Sequence, residues 1–335
     1  MKNAGLRSAA YTYFCERNGY MLLKNETAQW GIAFLIVVIS LFFMFPPEGY
    51  LWAKQISIYA IHWMLLCLLG GTIALFIGRE RLLYTFYISS GIMAFFLMNS
   101  YNTELNINRF SSPDALNILF MNPTLGNQPL DKLLESSIKR NPDIMVIEEF
   151  TPDHSKQLAV LGDSYPHRYL FARIDPLGKA ILSKFPLSSP KNEEVLGLPV
   201  ISMFVTNPEN DSFELMVVNH LPPITLIAYQ KLNKFLDELA ILMKKGYPNF
   251  ILVADFNMVP WSRELRNFRH FSGLMASRKD NTIMSPSYKS MDFLNNFNLE
   301  IMYSRNLECA HTVIVNDSTG IPLGIMAKYQ KKFVF

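Results

Sequence analysis

The ten residues from Val253 to Ser262, VADFNMVPWS, hold the groups best suited to chemistry in this chain. An apolar run, Phe250 to Val253, leads into Asp255 and Asn257, two residues apart. Residues i and i+2 of a strand point the same way, so at a strand end both side chains can face one site at the sheet's edge. A carboxylate there can hold a metal or take a proton from water. A neighbouring amide can hold a phosphate oxygen without adding negative charge. Pro260 ends the strand and Ser262 is placed to cap a following helix. Taken alone, the same D-x-N is also a strand followed by an Asx-type turn, so its function depends on what flanks it.

Four more polar residues stand at or near predicted strand ends: Asn122, Glu149, His220 and Asp292. Each has a structural explanation of its own. Asn122 before Pro123 can start a turn, Glu149 can be a solvated loop acid, His220 can pack beside prolines, and Asp292 can be a strand-edge charge. Strand ends on one rim of a sheet converge, however, and sites are built there. Oxygen ligands of this kind suit a hard cation such as Mg²⁺. His154, His167 and His270 have no second ligand at metal spacing, and no Cys/His zinc pattern exists.

The elements that must carry these residues follow from hydrophobic period and breakers. Strands are predicted at 116–121, 143–147, 169–173, 179–183, 200–205, 214–218, 250–256, 291–296, 300–303 and 323–328. Helices are predicted at 130–140, 228–245 and 262–271. Strands outnumber helices in a mixed order, which favours two packed sheets with flanking helices over a doubly wound parallel sheet.

The first third of the chain is different in kind. Half of all 335 residues are hydrophobic and 18% are charged, and the apolar excess lies before residue 100. The runs 30–45, 55–77 and 82–98 carry no charge apart from His62 and are each near the ~20 residues of a spanning helix. The expected organisation is a cytosolic segment 1–27, three transmembrane helices within 28–99, a linker 100–114 and a domain 115–335. The first apolar run starts too late, and lacks the small-residue cleavage site, for a removed signal peptide. Lys2, Arg7, Arg17, Lys24, Arg79 and Arg81 lie on one side of the spans, against Lys54 and Arg109 on the other. Positive-inside then leaves the large domain outside the cytosol. His62, inside a span, is an intramembrane ionisable group with no evident partner. The three cysteines, Cys15, Cys67 and Cys309, fall in different regions, so no disulfide forms within the large domain. The formal charge of +3 on the whole chain is not the basic balance of a strong nucleic-acid binder.

In order along 116–328, the residues resemble the endonuclease/exonuclease/phosphatase superfamily, the fold of pancreatic-type deoxyribonuclease. Leu116–Asn122 is similar to the family's first strand with its Asn. PDIMVIEE (142–149) resembles PDVVVLQE, and GKAILSKFPL (178–187) resembles G-x-A-I-L-S-R-F-P-I. VVNHLP (217–222) is similar to V-x-x-H-x-P, ADFNMVPWS (254–262) to G-D-F-N-x-x-P-W-S, and Asp292 in SMDFL to the Asp of I-D-H-I. The subgroup resembled is bacterial and membrane-anchored. The resemblance implies an α+β fold, a four-layer α/β/β/α sandwich of two mixed sheets, behind the three-helix membrane region. It implies the bacterial inner membrane as location and an extracytoplasmic domain. It implies Mg²⁺ or Mn²⁺ held by Glu149 with Asn122 beside it. Asp255 would orient or activate water, Asn257 would hold the phosphate, His220 would stabilise the phosphoryl oxygens, and Asp292 would support the site. The reaction would be in-line hydrolysis of a phosphoester, with lipid or nucleic acid as substrate.

One motif departs from the family. The closing S-D-H-x-P-[VIL] is here Ser318-Thr319-Gly320-Ile321-Pro322-Leu323. Thr319 and Gly320 replace the Asp–His pair that sets up proton transfer, and a positioned acid or base is worth ~10²–10⁴ in rate. Two expectations follow. Either the chain is a phosphoesterase whose base has moved, with His311 or Asp317 as replacement, or it is a pseudoenzyme that binds a phosphorylated ligand or a protein at the membrane.

Overall fold

A computed structural model of the chain describes residues 25–101, 112, 115–277, 299–304 and 306–332. The chain divides into two compact units, Met1–Leu97 and Met98–Phe335.

In the first unit, α1 (Glu26–Met44) starts at Asn25, whose Oδ1 accepts a hydrogen bond from Thr27 N at 3.0 Å. It stops just before Pro46–Pro47, which cannot continue a helix. Two helices follow, α2 (Leu51–Ser57) and α3 (Ala60–Phe76), and then α4 (Glu80–Tyr101). The predicted second span is not straight: α2 and α3 meet at a 60° bend. At the break Ser57 Oγ donates back to Lys54 O at 2.7 Å, a bond that competes with the helical ladder. Two helices, α1 and α4, are long and apolar enough to cross a membrane, and three if the bent pair is one span. The unit is held by small and polar contacts. Trp63 Nε1 donates to Ser40 Oγ at 2.9 Å, and Ser90 Oγ to Met64 O at 3.2 Å. Gly70 and Gly71 admit the rings of Phe86 and Tyr87 into the space a Cβ would take. Phe34, Phe76, Ile88 and Phe95 stand fully outward, a surface suited to hydrocarbon rather than water.

The second unit has two six-stranded sheets. The first runs β11-β12-β1-β2-β4-β3 and the second β5-β6-β7-β8-β10-β9. Their strands are β1 (Leu116–Met121), β2 (Ile144–Glu148), β3 (His167–Phe171), β4 (Lys179–Ser183), β5 (Leu187–Val195), β6 (Leu198–Thr206), β7 (Ser212–Asn219), β8 (Phe250–Asp255), β9 (Met275–Ala276), β10 (Leu299–Tyr303), β11 (Leu307–Asn316) and β12 (Pro322–Lys331). Among the described residues only β1/β2 and β7/β8 pair in parallel. A parallel pair needs a crossover, here α5 (Leu130–Ile138) and α6 (Leu226–Lys244). Phe120, Val146, Ile181, Val217, Val253 and Ile325 meet between the sheets. Leu130, Leu133 and Leu134 of α5 cover the outer face of the first sheet, against Leu119, Met145 and Ile147. Tyr229, Leu232, Phe235, Leu236 and Leu239 form the buried stripe of α6. The helix α7 (Arg263–Ser272) starts at Ser262, whose Oγ accepts from Leu265 N at 3.4 Å, and ends at Gly273 in the left-handed region. This is the expected sandwich of two mixed sheets with flanking helices. Asp292 and the strand predicted at 291–296 lie outside the described residues.

Candidate functional site at the shared rim

The two parallel pairs point their C-terminal ends to one rim, and strand alternation fills it. Phe120, Val146, Ile181, Val217 and Val253 face the space between the sheets. Two residues nearer the rim on each strand, after the named residue except on antiparallel β4, the same face carries Asn122, Glu148, Lys179, Asn219 and Asp255. All five are buried: Asn122, Glu148, Lys179, Asn219 and Asp255 are at most 5% exposed. A polar layer therefore caps the apolar core where both sheets end.

Hydrogen bonds stitch this layer across the two sheets. Lys179 Nζ donates to Asn219 Oδ1 at 2.6 Å and to Leu177 O at 3.2 Å. Asn219 Nδ2 donates to Pro176 O at 2.8 Å. Glu148 and Lys179 are direct partners in the β2/β4 register. Burial pushes the Glu148 carboxyl well above the usual range, and the nearby Asp255 charge adds to this. Burial also lowers the Lys179 amine, with Glu148 opposing. Glu148 Oε1 has no hydrogen-bond partner among the described residues.

Just past the layer the backbone turns sharply. Glu149 and Asn257 adopt left-handed φ of 51° and 51°. Asn tolerates this conformation, whereas for Glu it stores backbone strain, as functional sites often do. Continued strand would put Glu149 on the outer face. The turn instead brings it to Asn122, whose Nδ2 donates to Glu149 Oε1 at 3.0 Å. Asn122 Oδ1 is already engaged by Thr124 N and Thr124 Oγ1 at 3.0 and 2.8 Å. On the second sheet, His220 N donates to Asp255 O at 2.8 Å. Asp255 Oδ1 accepts from Asn257 N at 2.9 Å, the Asx turn its spacing allows. Asn257 Nδ2 donates to His220 O at 2.9 Å. The His220 ring donates through Nδ1 to Leu221 O at 2.6 Å, which fixes the other nitrogen as the acceptor of the neutral ring. Burial lowers the imidazole pKa and favours that neutral form.

The structure thus brings together five of the six residues singled out in the sequence: Asn122 with Glu149, and His220 with Asp255 and Asn257. Three partners were missed, Glu148, Lys179 and Asn219. Their signal was available: each continues the inward alternation of an apolar strand by one step.

The replacement bases are not in place. His311 is exposed in mid-strand on β11, opposite Lys328. Asp317 Oδ1 accepts from Thr319 N, Thr319 Oγ1 and Ile321 N at 2.8, 2.6 and 2.9 Å. Burial alone would raise its carboxyl, but these bonds outweigh burial and hold it below the usual range. It is a turn cap and a weak base. Gly320 sits at φ 91°, a left-handed turn position that suits glycine.

The donor chemistry fits a hard cation. Three carboxylates, Glu148, Glu149 and Asp255, share the rim with one amine, Lys179. A buried carboxylate oxygen there lacks a donor. Among the described residues no three His, Cys, Asp or Glu form a ready metal cluster. A cation would therefore keep water ligands, as Mg²⁺ commonly does beside one or two carboxylates.

Residues 104–310 match the Endonuclease/Exonuclease/phosphatase family, and the chain belongs to that family. No curated protein sequence matches the chain. Among solved structures, D. rerio TDP2 complexed with single-strand DNA product superposes with TM-score 0.53 at 13% identity, covering 65% of this chain and 99% of that one. An endonuclease/exonuclease/phosphatase from Beutenbergia cavernae gives 0.51 at 12%, covering 65% and 72%. The human Nocturnin catalytic domain with bound sulfate gives 0.50 at 16%, covering 65% and 94%. At these identities the likeness concerns the fold.

Proposed function

We propose that this chain is a membrane-anchored, metal-dependent phosphodiesterase whose turnover is slowed by loss of the proton-transferring pair. The observation that supports this reading is that Asn122–Glu149 on one sheet and His220–Asp255–Asn257 on the other flank one buried polar layer, which the Lys179–Asn219 bond and the Glu148–Asp255 charge interaction link across the sheets. Glu149 would hold Mg²⁺ or Mn²⁺, and Asn122 fixes that carboxylate through its Nδ2. The bound cation supplies neutralisation of charge that grows on the phosphoryl oxygens. Asn257 spends one amide hydrogen on His220 O and keeps a second for a phosphoryl oxygen. Asp255 would take up the proton of the attacking water, and His220, after taking a proton from solvent on its free ring nitrogen, would stabilise the phosphoryl oxygens while water protonates the leaving oxygen. Asp292 supports the site. The apolar helices anchor the chain in the bacterial inner membrane, with the domain on the extracytoplasmic side.

A second reading, a phospholigand- or protein-binding pseudoenzyme, is favoured by Gly320, by the exposed His311 and by the committed Asp317. Both readings are tested on the full chain in nanodiscs, with Mn²⁺ binding followed by electron paramagnetic resonance and a bis-aryl phosphodiester as substrate. The hydrolase reading expects Mn²⁺-dependent turnover that Glu149→Ala abolishes. Mn²⁺ binding without turnover in the parent, with turnover gained on Thr319→Asp plus Gly320→His, establishes the pseudoenzyme. A Glu149→Ala chain that binds Mn²⁺ like the parent removes both.

A further inference from the structure

The segment between β3 and β4 ties the two halves of the rim together. Towards the first sheet it brackets the residue after Glu149: Arg173 N donates to Phe150 O, and Phe150 N donates to Gly178 O, both at 3.0 Å. Towards the second sheet it holds the residue before His220. Asn219 Nδ2 donates to Pro176 O at 2.8 Å, and Lys179 Nζ donates to Asn219 Oδ1 at 2.6 Å. The segment is itself braced. Arg173 donates through Nε and Nη2 to the two carboxylate oxygens of Asp175 at 2.7 and 2.5 Å, and Asp175 Oδ1 accepts from Leu177 N at 3.1 Å. Pro176 has a fixed φ, and Lys179 Nζ donates back to Leu177 O at 3.2 Å. Residues 173–179 thus form a strap with one end on each half of the site.

From these bonds we infer that Asn219 is a positioning residue, which through the 173–179 strap sets the separation between Glu149 and the His220–Asn257 pair. The inference rests on the phosphodiesterase reading above and names what holds its two halves in register. Deeper in the domain, Val146, Ile181, Val217 and Val253 pack the sheets against each other. At the rim the inward side chains are polar, so directional bonds rather than apolar packing fix the gap there. Asn219 is buried, with its oxygen on Lys179 and its amide on Pro176. It therefore acts on a ligand through its neighbours and not by touching it. Asn219 lies beside Asp255 in the β7/β8 register, and Asn257 Nδ2 donates to the carbonyl of the next residue, His220. A shift of Asn219 thus carries the whole second half with it. One phosphate has to span a cation on Glu149 and the amide of Asn257, and a misplacement of about 1 Å costs on the order of 10²-fold in rate.

The test uses the full chain in nanodiscs with Cys15→Ser and with nitroxides on Asp153→Cys and Leu221→Cys, both exposed positions. Cys67 and Cys309 are buried. Without metal, electron paramagnetic resonance reads the spread of label separations. On the unlabelled chain, Mn²⁺ and then inorganic phosphate in its presence are titrated separately. Asn219→Leu removes both bonds at similar volume. It is expected to broaden the separations and to weaken phosphate binding by about tenfold, while Mn²⁺ affinity is unchanged because the Asn122–Glu149 bond is intact. A second variant, Arg173→Ala plus Asp175→Ala, loosens the strap from its partly exposed side at no change in net charge, and is expected to have the same effects to a smaller extent. Separations or phosphate affinity like the parent's in the variants that fold, or equal losses of Mn²⁺ and phosphate, overturn the inference. Broadened separations in variants of a parent that binds no Mn²⁺ or no phosphate keep the strap and remove the hydrolase reading instead.

Discussion

At the scale of single residues, Lys179 joins the two sheets. Its amine is buried, bonded to Asn219 at 2.6 Å and paired in register with Glu148. Removing the amine leaves the buried Asn219 Oδ1 unsatisfied and takes away the charge that opposes Glu148, which costs about 1–3 kcal/mol. Lys179→Met is therefore expected to lower the thermal midpoint strongly, because it strands both Glu148 and Asn219 Oδ1. Adding Glu148→Gln should recover part of the loss. A double-mutant cycle by thermal melting measures the coupling, and strictly additive losses would show that the two side chains do not act as a pair. The sequence made Asn122, Glu149, His220, Asp255 and Asn257 visible as polar residues after apolar runs. It concealed Glu148 behind its neighbour, since only the left-handed turn at Glu149 reveals that the two glutamates face different surroundings. Lys179 was hidden for another reason: a lysine before an apolar strand reads as solvated, and full burial depends on partners 31 and 40 positions away.

At the scale of elements, the turn that aims Glu149 depends on a close backbone approach. Phe150 N donates to Gly178 O at 3.0 Å, and a Cβ on Gly178 would lie 2.1 Å from Phe150 O. No rotamer relieves a backbone clash of that size. Gly178→Ala should push the 149–150 segment off β4, destabilise the domain by about 2 kcal/mol or more, and weaken Mn²⁺ binding through Glu149. Thermal melting and a Mn²⁺ titration check both effects, and a variant that melts and binds like the parent would show that the approach is dispensable. Most strands were legible because apolar period and turn residues agreed, as in β1, β2, β4 and β8. The omissions have physical causes. β5 (LSSPKNEEV) is an exposed edge strand with a proline and few β-formers. No strand is predicted from the sequence at β11, which forms a ten-residue hairpin arm with β12. Its alternation is interrupted by a register shift at Cys309/His311, so no clean period-2 pattern survives in the sequence. The bend between α2 and α3 was likewise masked, because the run 55–77 is uniformly apolar and a break in hydrogen bonding leaves composition unchanged.

At the scale of the whole molecule, the proposed orientation rests on the charge distribution. Arg79 lies in the turn between α3 and α4, Arg81 in the first turn of α4, and Lys54 in α2. Arg81 is anchored by a 3.1 Å ion pair to Glu26 at the start of α1 and stands 5.7 Å from the Trp30 ring. The start of α1 and the start of α4 therefore share one end of the helical unit, as three antiparallel spans require when the bent pair counts as one. Cytoplasmic loops retain Lys and Arg, so that end should face the cytosol and the domain after α4 should face away. In intact cells or sealed right-side-out vesicles, a membrane-impermeant maleimide should label Lys54→Cys and spare Arg79→Cys in a Cys15→Ser background. Permeabilisation should expose Arg79→Cys. Labelling of Arg79→Cys alone before permeabilisation would invert the chain and place the large domain in the cytosol. Asn122–Glu149 would then meet Mg²⁺ at cytosolic rather than extracytoplasmic concentration.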